Sequence, residues 1–425
     1  MKHKGFFILL VLFLVFSVSP NVLAASEGTT KLPSIYGKSA ITVDVSTGEI
    51  IYAKNVDKQM YPASTTKLLT ALLLAENMKK TDKLKYTQNA KAQPADSLNV
   101  NFHPIGVDET MSGRDVMDGM LLYSANDLAY MIADNVSGNS LNFIDLMNDK
   151  VAKLRMTGTH FVTPNGLHNA EHYTTPYDMS ILARAAFESP WVKEAMSKTQ
   201  STISTSKGTT FKLKNTNKLL GVDGCIAGKT GYTSLAGRCL VAFYERNGRQ
   251  IMGVVLGAVN NPANTNVYSD MEKIINYSYN SQQTVLHANN AVIKTTTLNY
   301  EPLGLFGPKK TVTVPLVVKE DVSYYNNEAN IKTLQENINL TSTSVSTLKE
   351  NKSIGNLIVT EKGKIKTYKL YSMVSKEILF KYNIYIYLMA AGRFILFLIV
   401  LAFIVRTINI NKRKRRRRRR RRISH

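Results

Sequence analysis

Apolar and polar positions alternate along this chain with two different periods, and the order of the periods suggests a topology. From Ser39 to Lys54, SAITVDV and EIIYAK alternate with period two about the polar triplet STG, the pattern of a β-hairpin. PASTTKLLTALLLAE follows, and its apolar run predicts a buried helix from Ser64 to about Glu76. Mostly polar segments lead to about Thr110. SGRDVMDGMLLYSANDLAYMIADNV then carries two helical patterns broken at Ser124–Asn126, and helix resumes from about Leu182. GCIAGKTG, RCLVAFYE and QIMGVVLGAV read as three strands, the last two joined by a tight turn at Asn247–Gly248. A helix from about Asp270 to Tyr279 closes this part. Two strands come early, three come late, and helices lie between. That order predicts an α/β (α+β) domain over residues 30–283, with a five-stranded antiparallel sheet covered by helices. Residues 286–376 change character: KKTVTVPLVV and NLIVTEKGKIKTYKLYSM are strand-rich and predict a small all-β domain. No internal repeat is evident.

The two ends are apolar for a different reason. Lys2 and Lys4, the apolar stretch Phe6–Val18, and Val22 and Ala24 at the −3 and −1 positions read as a secretory signal over residues 1–24. The mature chain is expected to start near Ala25. Residues 388–408 contain FILFLIVLAFIV, with Arg393 and Arg406 toward opposite ends, where each can reach an interface. Tyr382, Tyr385 and Tyr387 would form an aromatic belt, so a transmembrane helix is expected, with a helix lying in the interface as the alternative.

Charge sharpens this reading. The net charge is +23, but Arg406 to the end holds 12 Lys/Arg and no acid. Without those and the two N-terminal lysines, only +9 remains for the rest. The basic tail, residues 409–425, is expected on the cytoplasmic side, leaving the bulk of the chain outside the cytoplasm. The tail abuts a membrane segment and lacks interleaved aromatics, so no nucleic-acid partner is expected. The two cysteines, Cys225 and Cys239, are no disulfide framework. Simple pairing around Gly231–Gly237 would set Lys229 opposite Cys239, although a bulge in GCIAG could change that, so a disulfide stays open.

Candidate chemistry begins at Ser64 and Lys67, which share a helix face at i and i+3. A lysine partly desolvated at a positive helix terminus can lose its proton and act as a base toward the serine. Ser-x-x-Lys alone is a loose pattern, and the bland reading is a terminal Ser beside a surface Lys. Ser124-Ala125-Asn126 sits at a helix break, where a hydroxyl can relay protons and the amide can hold a substrate carbonyl or the lysine; a capping pair is the bland reading. Lys229-Thr230-Gly231 lies on a predicted strand, where a lysine and a hydroxyl can hold a carboxylate and glycine lets a substrate backbone approach.

Together these three elements match the constellation of β-lactamases and penicillin-binding proteins. DVSTGEIIYAKNVDKQMYPASTTK, MSGRDVMDGMLLYSANDLA, TPNGLHNAEHYTTPYDMSILAR, NTNKLLGVDG and GKTGYTSLAGRCLVA resemble the low-molecular-weight penicillin-binding proteins, the D-alanyl-D-alanine carboxypeptidases. The resemblance covers Ser39 to about Tyr279 closely and the remainder more loosely. It implies a transpeptidase/β-lactamase-like fold with a second, β-sandwich-like domain. It implies Ser64 as nucleophile, Lys67 as its base, and Ser124 as proton shuttle beside Asn126. Lys229 and Thr230 would engage the substrate's terminal carboxylate, and the backbone N–H groups of Ser64 and Tyr232, just past Gly231, would form an oxyanion hole. The implied reaction removes the terminal D-alanine from a peptidoglycan stem pentapeptide through an acyl-enzyme. It uses no metal or cofactor, and β-lactams are expected to acylate Ser64.

A class A β-lactamase needs a Glu in a Glu-x-x-Leu-Asn setting, and between Val151 and Phe187 the only acids are Glu171 and Asp178, neither so placed. A D,D-transpeptidase or endopeptidase would use the same residues. A catalytically dead wall-binding protein is disfavoured by the intact Ser64, Lys67, Ser124 and Lys229. A Ser-His-Asp hydrolase through His168 or His172 lacks the strained Gly-x-Ser-x-Gly turn, so both histidines read as structural, and Trp191 as packing.

Overall fold

A computed structural model describes residues 31–263, 265–304, 307–341, 348 and 352–423, so the expected signal over residues 1–24 lies outside the described residues. The chain opens with strands β1 (Ser39–Asp44) and β2 (Ile50–Lys54), antiparallel with Ile41 opposite Ala53. Asp44 Oδ1 accepts from the backbone N–H of Ser46 and Thr47, which folds the STG turn back on itself. A 3₁₀ turn (Ala63–Thr66) runs into helix α1 (Lys67–Asn77), buried from Lys67 through Leu74 as its apolar run requires. The expected helix start at Ser64 is therefore a 3₁₀ turn.

The polar stretch that follows holds β3 (Lys83–Lys85), α2 (Gln88–Lys91), α3 (Leu98–Asn101) and β4 (Thr110–Ser112). Helix α4 (Gly113–Asp118) is capped by Ser112, which accepts from the Asp115 N–H, and passes into a π turn (Gly119–Tyr123) that ends at Ser124. Helices α5 (Asn126–Ser137), α6 (Ser140–Lys153), α7 (Pro176–Glu188) and α8 (Pro190–Met196) complete the layer, with Thr175 capping α7.

A small ribbon, β5 (Gln200–Ser204) with β6 (Thr210–Lys214), precedes β7 (Cys225–Thr233), β8 (Gly237–Arg246) and β9 (Arg249–Ala258). Positive φ at Asn247 (51°) and Gly248 (76°) closes the β8–β9 hairpin at the expected turn. The main sheet has the order β2-β1-β9-β8-β7, all antiparallel, so the early and late strands meet as expected. Its one face packs on α9 (Asn266–Asn280) through Met271, Ile274 and Ile275. The other face packs on the helical layer, where Phe187 of α7 stacks on Phe243 of β8 at 4.0 Å.

The register of β7 corrects one expectation. Gly231, not Lys229, lies opposite Cys239, because the connecting turn is centred one residue later than simple pairing assumed. The bulge near Cys225 exists, but Cys225 faces Tyr244, and both cysteines are free and buried.

Beyond α9, β10 (Thr284–His287) begins just before the expected start of the second region and pairs with β13 (Val322–Tyr324). Strands β11 (Val292–Tyr300), β12 (Lys310–Val318), β14 (Gln335–Leu340), β15 (Gly355–Glu361) and β16 (Lys364–Ser372) form a five-stranded sheet of order β11-β12-β16-β15-β14. Helix α10 (Glu328–Thr333) was not anticipated; its signal is Asn327, whose side chain accepts from the N–H of Ala329 and Asn330. Asn327 and Asn330 also donate to the carbonyl of Ile50, tying this region to β2. Helix α11 (Lys376–Ile423) contains the apolar segment and continues through the basic run instead of stopping at residue 408. The stretch Glu377–Arg419 contains a segment long and apolar enough to cross a membrane, and that segment is unburied.

Candidate active site

Ser64 sits on the 3₁₀ turn, directly after Ala63, whose φ of 47° is left-handed for a residue with a β-carbon. Two glycines permit that turn. A β-carbon on Gly166 (φ 81°) would lie 2.0 Å from the Ala63 carbonyl oxygen, so the loop beneath can pass only as glycine. A β-carbon on Gly231 would lie 2.9 Å from the Ser64 nitrogen and 3.1 Å from the Pro62 oxygen. The β7 backbone and the Ser64 turn are therefore in intimate contact.

Lys67 is fully buried on the first turn of α1. Its Nζ lies 2.9 Å from Ser64 Oγ, 2.9 Å from Asn126 Oδ1 and 2.7 Å from the Asn165 carbonyl oxygen. Burial, reinforced by the Lys229 charge, pushes the Lys67 amine well below the ordinary lysine range, while Asp96 and Asp127 oppose the shift. The partner set then acquires a direction. The Asn165 and Asn126 oxygens can only accept, so they take the two N–H bonds of a neutral amine. In that neutral form the remaining lone pair faces Ser64 Oγ, 2.9 Å away, and can accept its proton. Such an arrangement can activate a serine.

Asn126 is itself fixed. Its backbone N–H donates to the Asp96 carbonyl at 2.7 Å and its Nδ2 to the Ala95 carbonyl at 2.9 Å. Ser124 holds a left-handed φ of 78° at the helix break, which turns its hydroxyl toward β7. There Lys229 Nζ donates to Ser124 Oγ at 2.9 Å and to the Thr230 carbonyl at 2.9 Å. Lys229 is buried, and burial pushes its amine down to about 7 against the opposing pull of Asp96. Thr230 Oγ1 and Thr216 Oγ1 are 2.6 Å apart, and Tyr268 donates its hydroxyl proton to the Thr216 carbonyl at 3.0 Å. Tyr232 is exposed beneath the Arg238 guanidinium, 4.2 Å from its ring centre. The structure thus brings Ser64, Lys67, Ser124, Asn126, Lys229, Thr230 and Gly231 into one cleft, with Tyr232 at its rim.

Motif reasoning did not find Asn165, Thr216 or the Ala95–Asp96 carbonyls. Two of these act through backbone oxygens, which no residue type announces. Of the histidines, His172 is buried: its Nδ1 accepts from the Val162 N–H at 3.0 Å, so Nε2 carries the proton toward Thr66 Oγ1 at 2.9 Å. Burial pushes it down to about 3, which leaves it neutral. His168 stacks edge-on to Tyr61. Trp191 lies in the core against Gly113.

Residues 26–260 match the peptidase family described as D-alanyl-D-alanine carboxypeptidase, more than half of the chain. This chain belongs to that family. The D-alanyl-D-alanine carboxypeptidase DacF of Bacillus subtilis is 29% identical over 287 residues, covering 65% of this chain and 71% of the relative. DacC of Escherichia coli, also a D-alanyl-D-alanine carboxypeptidase, is 31% identical, covering 64% and 68%. Among solved structures, a penicillin-binding protein of Listeria monocytogenes in its ampicillin-bound form is 32% identical, with a TM-score of 0.51 over 58% of this chain and 98% of that one. The carboxypeptidase DacD of Francisella tularensis shares the fold over 80% of this chain and 94% of its own, at 21% identity and a TM-score of 0.58. Its coverage reaches beyond the catalytic sheet into the β-rich region.

Proposed function

We propose that this carboxypeptidase-family member removes the terminal D-alanine from peptidoglycan stem pentapeptides through an acyl-enzyme on Ser64. The observation that carries the proposal is the buried Lys67 amine, 2.9 Å from Ser64 Oγ and held on its other sides by the Asn126 and Asn165 oxygens, which can only accept. Lys67 takes the serine proton as Oγ attacks the carbonyl between the two D-alanines. The N–H groups of Ser64 and Tyr232 receive the oxyanion, each such donor supplying about 2.7–4 kcal/mol to the transition state. Lys229 and Thr230 hold the terminal carboxylate, and Ser124 passes a proton to the leaving amine. Water then releases the acyl group with Lys67 again as base. β-Lactams present the same carbonyl and carboxylate and trap Ser64. The mature enzyme begins near Ala25, the catalytic domain spans residues 30–283, and the β-rich domain spans residues 286–376. Helix α11 anchors the enzyme, with its basic end cytoplasmic and the catalytic domain on the extracytoplasmic face.

Intact-mass analysis after penicillin treatment, beside D-alanine release from a pentapeptide, tests this reading with Ser64→Ala as control. An adduct and release that both vanish in the variant are expected. An adduct without release would turn the assignment toward transpeptidation, and no adduct would overturn it.

A further inference from the structure

The proposed anchors also fix the direction of a bound peptide. The terminal carboxylate sits at Thr230, and the scissile carbonyl sits between the Ser64 and Tyr232 N–H groups. Strand β7 is the outer strand of its sheet, with no described strand paired on its far side. A peptide lying along that edge is therefore antiparallel to β7 and leads back from Tyr232 toward the Leu235–Ala236 turn. The two residues preceding the acylated D-alanine cover about 7 Å in that direction, and a side chain of ordinary length reaches the turn.

A cavity of about 330 Å³ opens there, lined by Lys38, Lys58, Tyr61, Tyr173, Leu235 and Ala236 among others. It adjoins the nucleophile's turn, since Tyr61 precedes Pro62 and Ser64 by a few residues and its carbonyl is 3.6 Å from Cys239 Sγ on β8. Its two cations are exposed and uncommitted among the described residues. Asp57, the acid adjacent to Lys58, is taken by Lys362 at 2.6 Å. Glu171, in the loop beside Ala170, is exposed.

We infer that Lys38 and Lys58 form a carboxylate-binding subsite for the acyl-donor side of the peptide. It would select stem peptides bearing a free carboxylate on one of the two residues preceding the acylated D-alanine. The inference rests on the carboxypeptidase reading for its direction. Two lysines at a partly enclosed pocket suffice for about a tenfold preference.

The test uses the full chain in detergent and pairs of peptides ending in D-Ala-D-Ala, with that carboxylate free or amidated. Each peptide's protection of the enzyme against a fluorescent penicillin is measured in wild type and in the Lys38→Gln/Lys58→Gln double variant. The preference is a ratio within one protein, so changes in intrinsic acylation rate cancel, and Trp191 fluorescence on heating reports whether the variant is folded. The expected result is about tenfold better protection by the free carboxylate in wild type and none in the variant. Equal protection in wild type, no protection by either peptide, or a preference that survives in the variant would overturn the subsite. D-Alanine release in the same samples reports on the hydrolytic reading separately: preference without release removes that reading and keeps the subsite, whereas release without preference does the reverse.

Discussion

Lys229 stores a pH-dependent cost that can be measured directly. Its amine titrates at about 7 in the folded chain because it is buried, against about 10.4 for an unfolded lysine. Between those values the unfolded chain holds a proton that the folded chain has shed, so stability rises with pH across the window. The cost is greatest at and below pH 7. At about 1.4 kcal/mol per pH unit, it comes to about 4 kcal/mol at pH 7 and about 2 kcal/mol at pH 9. Lys229→Met removes it. Set against that gain are the two hydrogen bonds to Ser124 Oγ and the Thr230 carbonyl, and some packing. Those losses do not titrate over this range, so the change between the two pH values reports the buried charge together with its repulsion of Lys67. The assay is urea unfolding of the detergent-solubilised chain followed by fluorescence. The single tryptophan, Trp191, is 8% exposed in the core of the catalytic domain, so the signal reads that domain and not the β-rich region. The stability of the variant relative to wild type should fall by about 2 kcal/mol from pH 7 to pH 9. An unchanged difference would show that Lys229 is not held below its ordinary range, and the electrostatic account of the cleft would fail with it.

Asn126→Asp places a carboxylate where Oδ1 now lies 2.9 Å from Lys67 Nζ. It favours the ammonium, so the acid limb of penicillin acylation should move to higher pH, with at least about a tenfold loss at pH 7; an unshifted profile would contradict the base assignment. Gly166→Ala meets both a φ of 81° and the Ala63 carbonyl at 2.0 Å. It should destabilise the protein by at least about 1–2 kcal/mol and slow acylation, and a variant with wild-type melting and acylation would show that the Ser64 turn does not depend on that contact. Lys366→Met removes the cation from between Glu49, 2.5 Å away, and Glu361, 2.8 Å away and nearly buried. With that carboxylate left unpaired, a loss of about 2–4 kcal/mol is expected, below the fully buried case. Faster proteolytic separation of the β-rich region from the catalytic domain should accompany it, and unaltered proteolysis would argue that the other contacts, the Asn327 and Asn330 bonds to the Ile50 carbonyl and the Lys362–Asp57 pair among them, secure the junction.

Sequence periodicity located the strands of the catalytic sheet because alternation and glycine turns are local signals: the Asn247–Gly248 hairpin needs only its own two residues. The site was legible only as side-chain identities. Nothing in PASTTK foretells that Ala63 adopts a left-handed φ, because the space that accommodates it is left by Gly166, a hundred residues on, where a β-carbon would meet the Ala63 carbonyl. The β7 register was misplaced for a similar reason: turn length, not strand pattern, decides whether Lys229 or Gly231 faces Cys239. The Ser-x-x-Lys spacing brings an amine near a hydroxyl, but in water that amine would stay an ammonium with no lone pair to offer. Its base character comes from the fold, which buries Lys67 at the head of a leucine-rich helix, sets Lys229 nearby, and closes two acceptor oxygens around Nζ. One of those oxygens belongs to the Asn165 backbone, so the feature that aims the lone pair at Ser64 is written in the chain path of the 163–172 loop, where no motif could record it.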